Sequence, residues 1–155
     1  EEINNIMCNY LIKLDIFFFG GPDIKLLFLL YRERINTLLD FVKTSIVFYK
    51  INIIYYDFLN IFLYNNIFNF IDNIFFYIES LDVFNSNLFI KNFLNQICVE
   101  YNFSLNSLYT FFRIIIFGMN ISPSLTGVIF LLGKNLFLHR INNIRYIYKL
   151  FFNNC

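Results

Sequence analysis

The longest stretch of this chain without a charged residue is the 20 residues between Arg113 and Lys134. It separates two very different folds. A membrane-spanning helix needs about 20 consecutive, predominantly apolar residues. This stretch has the length but not the content, because Gly118, Asn120, Ser122, Pro123, Ser124, Thr126 and Gly127 interrupt it. In hydrocarbon these residues would break the helix or leave polar groups unmet. In water they read as punctuation between two packed helices. Other uncharged runs are shorter, such as the 14 residues between Asp57 and Asp72. A chain that is 58% apolar with a mean hydropathy of +0.57 therefore reads as a water-soluble helical protein. A small helical membrane or membrane-surface protein is the alternative. The acidic start, Glu1-Glu2, lacks the positive region of a secretory signal. The absence of an initiating Met leads us to expect a fragment whose natural chain begins upstream.

At 155 residues the chain has the length of one domain or two small ones. A chain of this size buries about 68–70% of its unfolded surface, enough for a core without metals or disulfides. Asn, Ile, Phe and Tyr supply 81 of the 155 residues, and Ala and Trp are missing. These four share AT-rich codons, so an aromatic stripe here is weak evidence of function.

Helical spacing recurs along the chain. Leu27, Leu30, Arg34, Leu38 and Phe41 follow a 3–4 rhythm that Pro22 or Asp23 could open. Residues 55–78 are helix-like but poorly phased. Asn85-Ser86-Asn87 reads as a turn and N-cap before a helix to about Val99, and Asn102-Phe103-Ser104 starts another to about Phe112. The β-branched run Ile114-Ile115-Ile116 could be briefly extended. Ser122 at the N-cap with Pro123 at the first helical position predicts a helix start, since proline lacks an N–H where none is needed. That helix should stop at Gly133. A last helix turns Ile141, Ile144, Ile147 or Tyr148, and Phe151 inward, with Arg145 and Lys149 sharing its outward side. The expectation is an all-α bundle or cage of two small subdomains, residues 1–64 and 65–155, with the hinge between them at Asn60–Asn69.

Bond-making chemistry is hard to find. His139 is the only histidine, and no acid follows Glu100. Glu79 and Asp82, three apart, read as a solvated helix face. Cys8, Cys98 and Cys155 are odd in number and far apart, which fits incidental thiols better than a disulfide framework or zinc site. No nucleotide-binding glycine loop or metalloprotease motif occurs. We expect no catalytic residue, metal site or cofactor within these residues.

Charge is unevenly placed. Residues 1–100 carry 7 Lys/Arg against 11 Asp/Glu, whereas residues 101–155 carry Arg113, Lys134, Arg140, Arg145 and Lys149 and no acid. A basic half beside an acidic half points to a nucleic-acid or membrane-surface contact made by one region.

Two blocks then match one family in order and spacing. The first is Glu33-Arg34-Ile35-Asn36-Thr37-Leu38, within Tyr31–Leu38. The second begins about 75 residues later with Arg113 and Gly118, continues through Ser122-Pro123-Ser124-Leu125, and ends with Leu131-Leu132-Gly133-Lys134 and Arg140. Together they resemble the C-terminal anticodon-binding region of bacterial-type glutamyl-tRNA synthetase, over about residues 24–150. The resemblance implies a helical cage that grips the anticodon loop of tRNA-Glu. By that resemblance Arg34 contacts the last anticodon base, and Arg113, Ser122, Pro123 and Leu125 line a pocket for unstacked bases. An Arg at position 34 is similar to family members that discriminate for tRNA-Glu. The resemblance also implies a monomeric, cytoplasmic or organellar parent ligase. Its N-terminal catalytic domain, lying outside these residues, uses ATP and magnesium.

Physical chemistry is compatible with that assignment. Sequence-specific RNA readers splay loop bases out, stack them on flat side chains and read their edges with polar groups. Arginine both stacks and donates as a planar fork. A helix opening at Ser122-Pro123 would offer N–H groups and a positive dipole end. Lys134, Arg140, Arg145 and Lys149 could contact the RNA backbone without carrying sequence information. Each has a structural alternative: Arg34 could pair with Glu33, Arg113 could bond helix-end carbonyls, and Lys134 could serve a helix C-terminus. A helical protein-interaction module is a further alternative for the whole chain.

Overall fold

The computed structural model describes residues 2–13, 21–50, 67–81, 84, 86–118 and 122–152. Among these residues all regular structure is helical. The chain divides into two compact units, Glu1–Asn52 and Ile53–Cys155. The expected boundary at 64/65 lies outside the described residues, as does most of the segment 60–69, whose last three residues open a helix.

The first unit contains α1 (Glu2–Lys13), α2 (Ile24–Tyr31), α3 (Leu38–Ser45) and a 3₁₀ turn (Ile46–Phe48). Asp23 caps α2, its carboxylate accepting from the Lys25 N–H at 2.8 Å, as its type and place predicted. The single helix expected through Arg34 instead breaks after Tyr31. The Arg34 N–H folds back to the Tyr31 carbonyl at 2.7 Å, and Thr37 starts a new helix. Thr37 Oγ1 accepts from the Asp40 N–H at 3.1 Å and donates to the Asp40 carboxylate at 2.8 Å. This local cap competes with helix continuation, and burial decides the outcome. Tyr31 and Phe41 can meet edge-to-face, with centroids 6.4 Å apart, only if the chain reverses between them. α3 packs on both α1 and α2. Met7, Leu11, Leu27, Phe41 and Phe48 form the fully buried centre. Tyr49 lies over Gly21 so closely that a Cβ there would sit 2.3 Å from its ring. Its hydroxyl donates to the Pro22 carbonyl at 3.0 Å.

The second unit contains α4 (Ile67–Ser80), α5 (Asn87–Glu100), α6 (Leu105–Phe117) and α7 (Leu125–Phe152). Ser86 and Ser104 cap α5 and α6 through their hydroxyls, at the predicted starts. Between them Asn102 takes a left-handed φ of 54°, which asparagine tolerates better than most residues. α6 runs past the expected end at Phe112 to Phe117, then stops at Gly118 with φ 75°. Ile114, Ile115 and Ile116 are therefore helical, not extended. All three are buried, and that burial outweighs the few tenths of a kcal/mol by which β-branching disfavours a helix.

α7 is the central element, packed against α4, α5 and α6. Its helical conformation is interrupted at Gly133 (φ 75°, ψ 165°). The predicted glycine stop is present, and a second helical arm follows at once. The apolar faces meet through aromatic edges: Phe70 sets its ring against Tyr101, Phe103 and Phe111 at 4.9–5.2 Å. No helix among the described residues is long and apolar enough to cross a membrane.

Candidate nucleic-acid interface

The approach from α6 to α7 holds four of the five residues expected to contact anticodon bases, Arg113, Ser122, Pro123 and Leu125. Arg113 lies on the last turns of α6, and its Nε donates to Ser122 Oγ at 3.0 Å. The guanidinium also stands 5.9 Å from the Tyr109 ring centroid, one turn earlier on the same helix. An oxygen on one side and a ring on the other hold a long side chain in one place, removing rotamer freedom that a flexible arginine would lose on binding.

Ser122 does not cap the helix. α7 begins at Leu125, and the Ser124 carbonyl accepts the first helical bond, from Val128 N at 3.0 Å. The helix start is two residues later than the Ser-Pro pair predicts. The physical reason is the competing partner: Ser122 Oγ is engaged by Arg113 nine residues back. Ser122, Pro123 and Leu125 are all buried. They form the support beneath Arg113, and of the four expected pocket residues only Arg113 is half-exposed.

Three other cations of this unit, Lys134, Arg140 and Arg145, are used internally. Arg140 was expected on the RNA backbone, but it is fully buried and its Nη1 donates to the Ile116 carbonyl at 2.5 Å. That carbonyl belongs to the last turn of α6, where helical partners run out and a cation is favoured. Lys134 donates from Nζ to the Glu79 carbonyl at 2.8 Å and the Leu81 carbonyl at 2.5 Å, closing the C-terminal end of α4. Its alternative as a helix-end residue is the one realised, on a different helix. Arg145 does not share an exposed side with Lys149. It forms an ion pair with Asp72 and lies over the Phe75 and Phe76 rings, 4.3 and 5.1 Å from their centroids. Lys149 is exposed, 5.8 Å from the Phe68 ring. The basic excess of residues 101–155 is thus largely committed to holding α7 against α4 and α6.

Arg34, in the first unit, is exposed in the turn between α2 and α3. Burial pushes the Tyr31 phenol well above its ordinary range, and the nearby positive charge of Arg34 opposes that rise. Glu33, the alternative partner for Arg34, has Arg32 at 4.0 Å in an exposed pair. Tyr109 and Asp72 were not singled out from sequence. The i,i+4 spacing of Tyr109 and Arg113 would have been a usable signal had the helix been carried past Phe112. Nothing in the sequence joins Asp72 to Arg145 across 73 residues.

No curated protein matches the chain. A family model described as the anticodon binding domain matches residues 9–145, from within α1 through most of α7 and including Arg34, Arg113 and Ser122. With that match over most of its length, the chain belongs to the anticodon-binding domain family, the tRNA-recognising part of an aminoacyl-tRNA synthetase.

Proposed function

We propose that the chain reads the anticodon of tRNA-Glu as the recognition part of a glutamate–tRNA ligase. The observation that carries this reading is the held guanidinium of Arg113, bonded through Nε to Ser122 at 3.0 Å. With Nε on Ser122 and the guanidinium against Tyr109, the two Nη groups are the donors that would meet a base edge. The glutamyl assignment rests on the ordered resemblance from Glu33-Arg34 to Leu131-Leu132-Gly133-Lys134. In that reading Arg34 contacts the last anticodon base. Lys149 supplies a backbone contact, with little from Lys134, Arg140 and Arg145. The parent enzyme activates glutamate with ATP and magnesium in a catalytic domain outside these residues, as a cytoplasmic or organellar monomer.

Titration of the chain with tRNA-Glu and with tRNA-Glu carrying an altered anticodon tests this. Arg34→Ala and Arg113→Ala should each cost about 1–3 kcal/mol on the matched tRNA. The altered anticodon should lose comparable affinity on the unchanged protein. Equal losses on every tRNA would reduce both arginines to backbone contacts and remove the anticodon assignment. Tighter binding to another amino acid's tRNA would remove the glutamyl one.

A further inference from the structure

α4 and α5 do not close against each other along their whole length, and the space between them forms a groove of about 410 Å³. That volume lies within the range of small-ligand sites, about 300–1,000 Å³. Phe76 and Tyr77 from α4 and Tyr101 at the end of α5 supply aromatic walls, and Asn73, Gln96 and Glu100 supply polar groups. The floor is apolar, with Ile74 and Ile97 both 3% exposed. Tyr77 is held by a near-parallel stack on Phe93, centroids 5.6 Å apart, which fixes one wall.

The charge of the groove narrows its occupant. Among the described residues Glu100 is the single charged one lining it, and it is exposed. It is also the last residue of α5, so the groove opens at the negative end of that helix dipole. Residues 67–100 carry four acids against one lysine, while α7 sets Arg145 on Asp72, Lys134 on the C-terminal carbonyls of α4 and Lys149 near Phe68, so Glu100 is the acid at the groove itself. A phosphate chain would meet Glu100 and the negative helix end, so a nucleobase carried on one fits poorly despite the aromatic walls. A cation with a flat or alkyl stem fits on every count. Aromatic faces attract it, Glu100 pairs with it, and amide oxygens of Asn73 and Gln96 can accept from it. Phe76 already carries one guanidinium, that of Arg145, at 5.1 Å from its centroid.

We propose that the groove between α4 and α5 receives the guanidinium or alkylammonium head group of an arginine or lysine on a basic polypeptide segment. This site is separate from Arg113 and does not depend on the anticodon reading. A partner segment bound there would leave the Arg113 side chain to RNA.

The test uses the full chain and three probes observed by two-dimensional NMR: agmatine, a short amidated Gly-Arg-Gly peptide, and the same peptide with neutral citrulline. Agmatine and the arginine peptide should shift the Tyr77 and Tyr101 resonances saturably. The citrulline peptide should bind at least about fivefold more weakly. Glu100→Gln, at an exposed position that leaves the fold intact by circular dichroism, should weaken the arginine peptide by about fivefold or more. Equal binding of arginine and citrulline peptides, or no effect of Glu100→Gln, would overturn the cation site. Saturable binding of adenosine or cytidine tighter than agmatine would overturn it in favour of a base pocket. Agmatine binding without peptide binding would overturn the polypeptide as its source.

Discussion

Arg113 and Ser122, nine residues apart across the α6–α7 connection, share a hydrogen bond of 3.0 Å from Nε to Oγ. The bond joins a helix end to the segment that starts the next helix. It explains why a serine that looks like a cap is not one. Ser122→Ala would remove the acceptor and leave the guanidinium able to turn. We expect tRNA affinity to fall by about three- to tenfold while the protein stays folded, since one hydrogen bond is worth about 0.5–1.5 kcal/mol. Arg113→Lys should be nearly as damaging as Arg113→Ala, because a lysine cannot both hold Ser122 and present a planar fork. Fluorescence anisotropy with a labelled anticodon stem-loop measures both. An unchanged affinity in Ser122→Ala would show that the bond does not orient the reader.

The internal use of the cations predicts a shallow salt response from this unit. Lys149→Ala should lower the log–log salt slope of tRNA binding by about 1. Arg145→Met should leave the slope unchanged and lower stability instead, because Arg145 is spent on Asp72 and two phenyl rings. Paired salt titrations of the two variants decide the matter. A reduced slope in Arg145→Met would mean that the side chain leaves Asp72 for phosphate.

Arg140 sits with no exposed surface and donates to the Ile116 carbonyl. Arg140→Ala should lose about 3–5 kcal/mol, from a large cavity and an abandoned helix-end carbonyl. Arg140→Met fills the space but not the hydrogen bond, so about 1–2 kcal/mol is expected. Urea unfolding gives both values. If Ala and Met cost the same, volume is not what Arg140 supplies.

Gly133 combines φ 75° with ψ 165°, a conformation almost restricted to glycine. An added Cβ there would meet nothing within 4 Å. The cost of Gly133→Ala is therefore conformational and not steric, about 1–3 kcal/mol. Gly133→Asn should give little relief, since asparagine favours the left-handed helical region and not this one. Thermal melts of the two variants should fall together, and a stable alanine variant would show that the break closes into one helix.

Burial, with smaller contributions from Cys8 and Asp23, pushes the Tyr49 phenol up to about 12 from its ordinary 10.0. A phenol whose pKa is raised by folding favours the folded chain while protonated. That contribution is complete below about pH 10 and is lost as pH rises toward 12. Stability should fall over that window together with a rise in phenolate absorbance. Tyr49→Phe should flatten part of the alkaline fall, at a cost of about 1 kcal/mol near neutrality for the hydroxyl bond to Pro22. An alkaline fall of equal size in Tyr49→Phe would assign it to other groups.

Local rules made the helix grammar legible. Asp23, Ser86 and Ser104 cap where their type and spacing placed them, because a short oxygen-bearing side chain answers to N–H groups two or three residues away. Gly133 breaks where it was expected to. The same rules failed where a distant partner competed. The Ser122 hydroxyl went to Arg113, and the turn at residues 32–37 interrupted a regular 3–4 rhythm because Tyr31 and Phe41 had to pack together.

The sequence by itself determined that this chain is helical, where α2, α5 and α6 begin, that a break falls at Gly133, and which ordered residues resemble an anticodon-binding family. Only the tertiary structure decided which cations face solvent. Lys134, Arg140 and Arg145 carry the same formal charge as Lys149, yet three of the four are held by carbonyls or a carboxylate on other helices. A side chain's charge is written in its chemistry, but its partner is set by which helix ends and acids packing brings within hydrogen-bond reach.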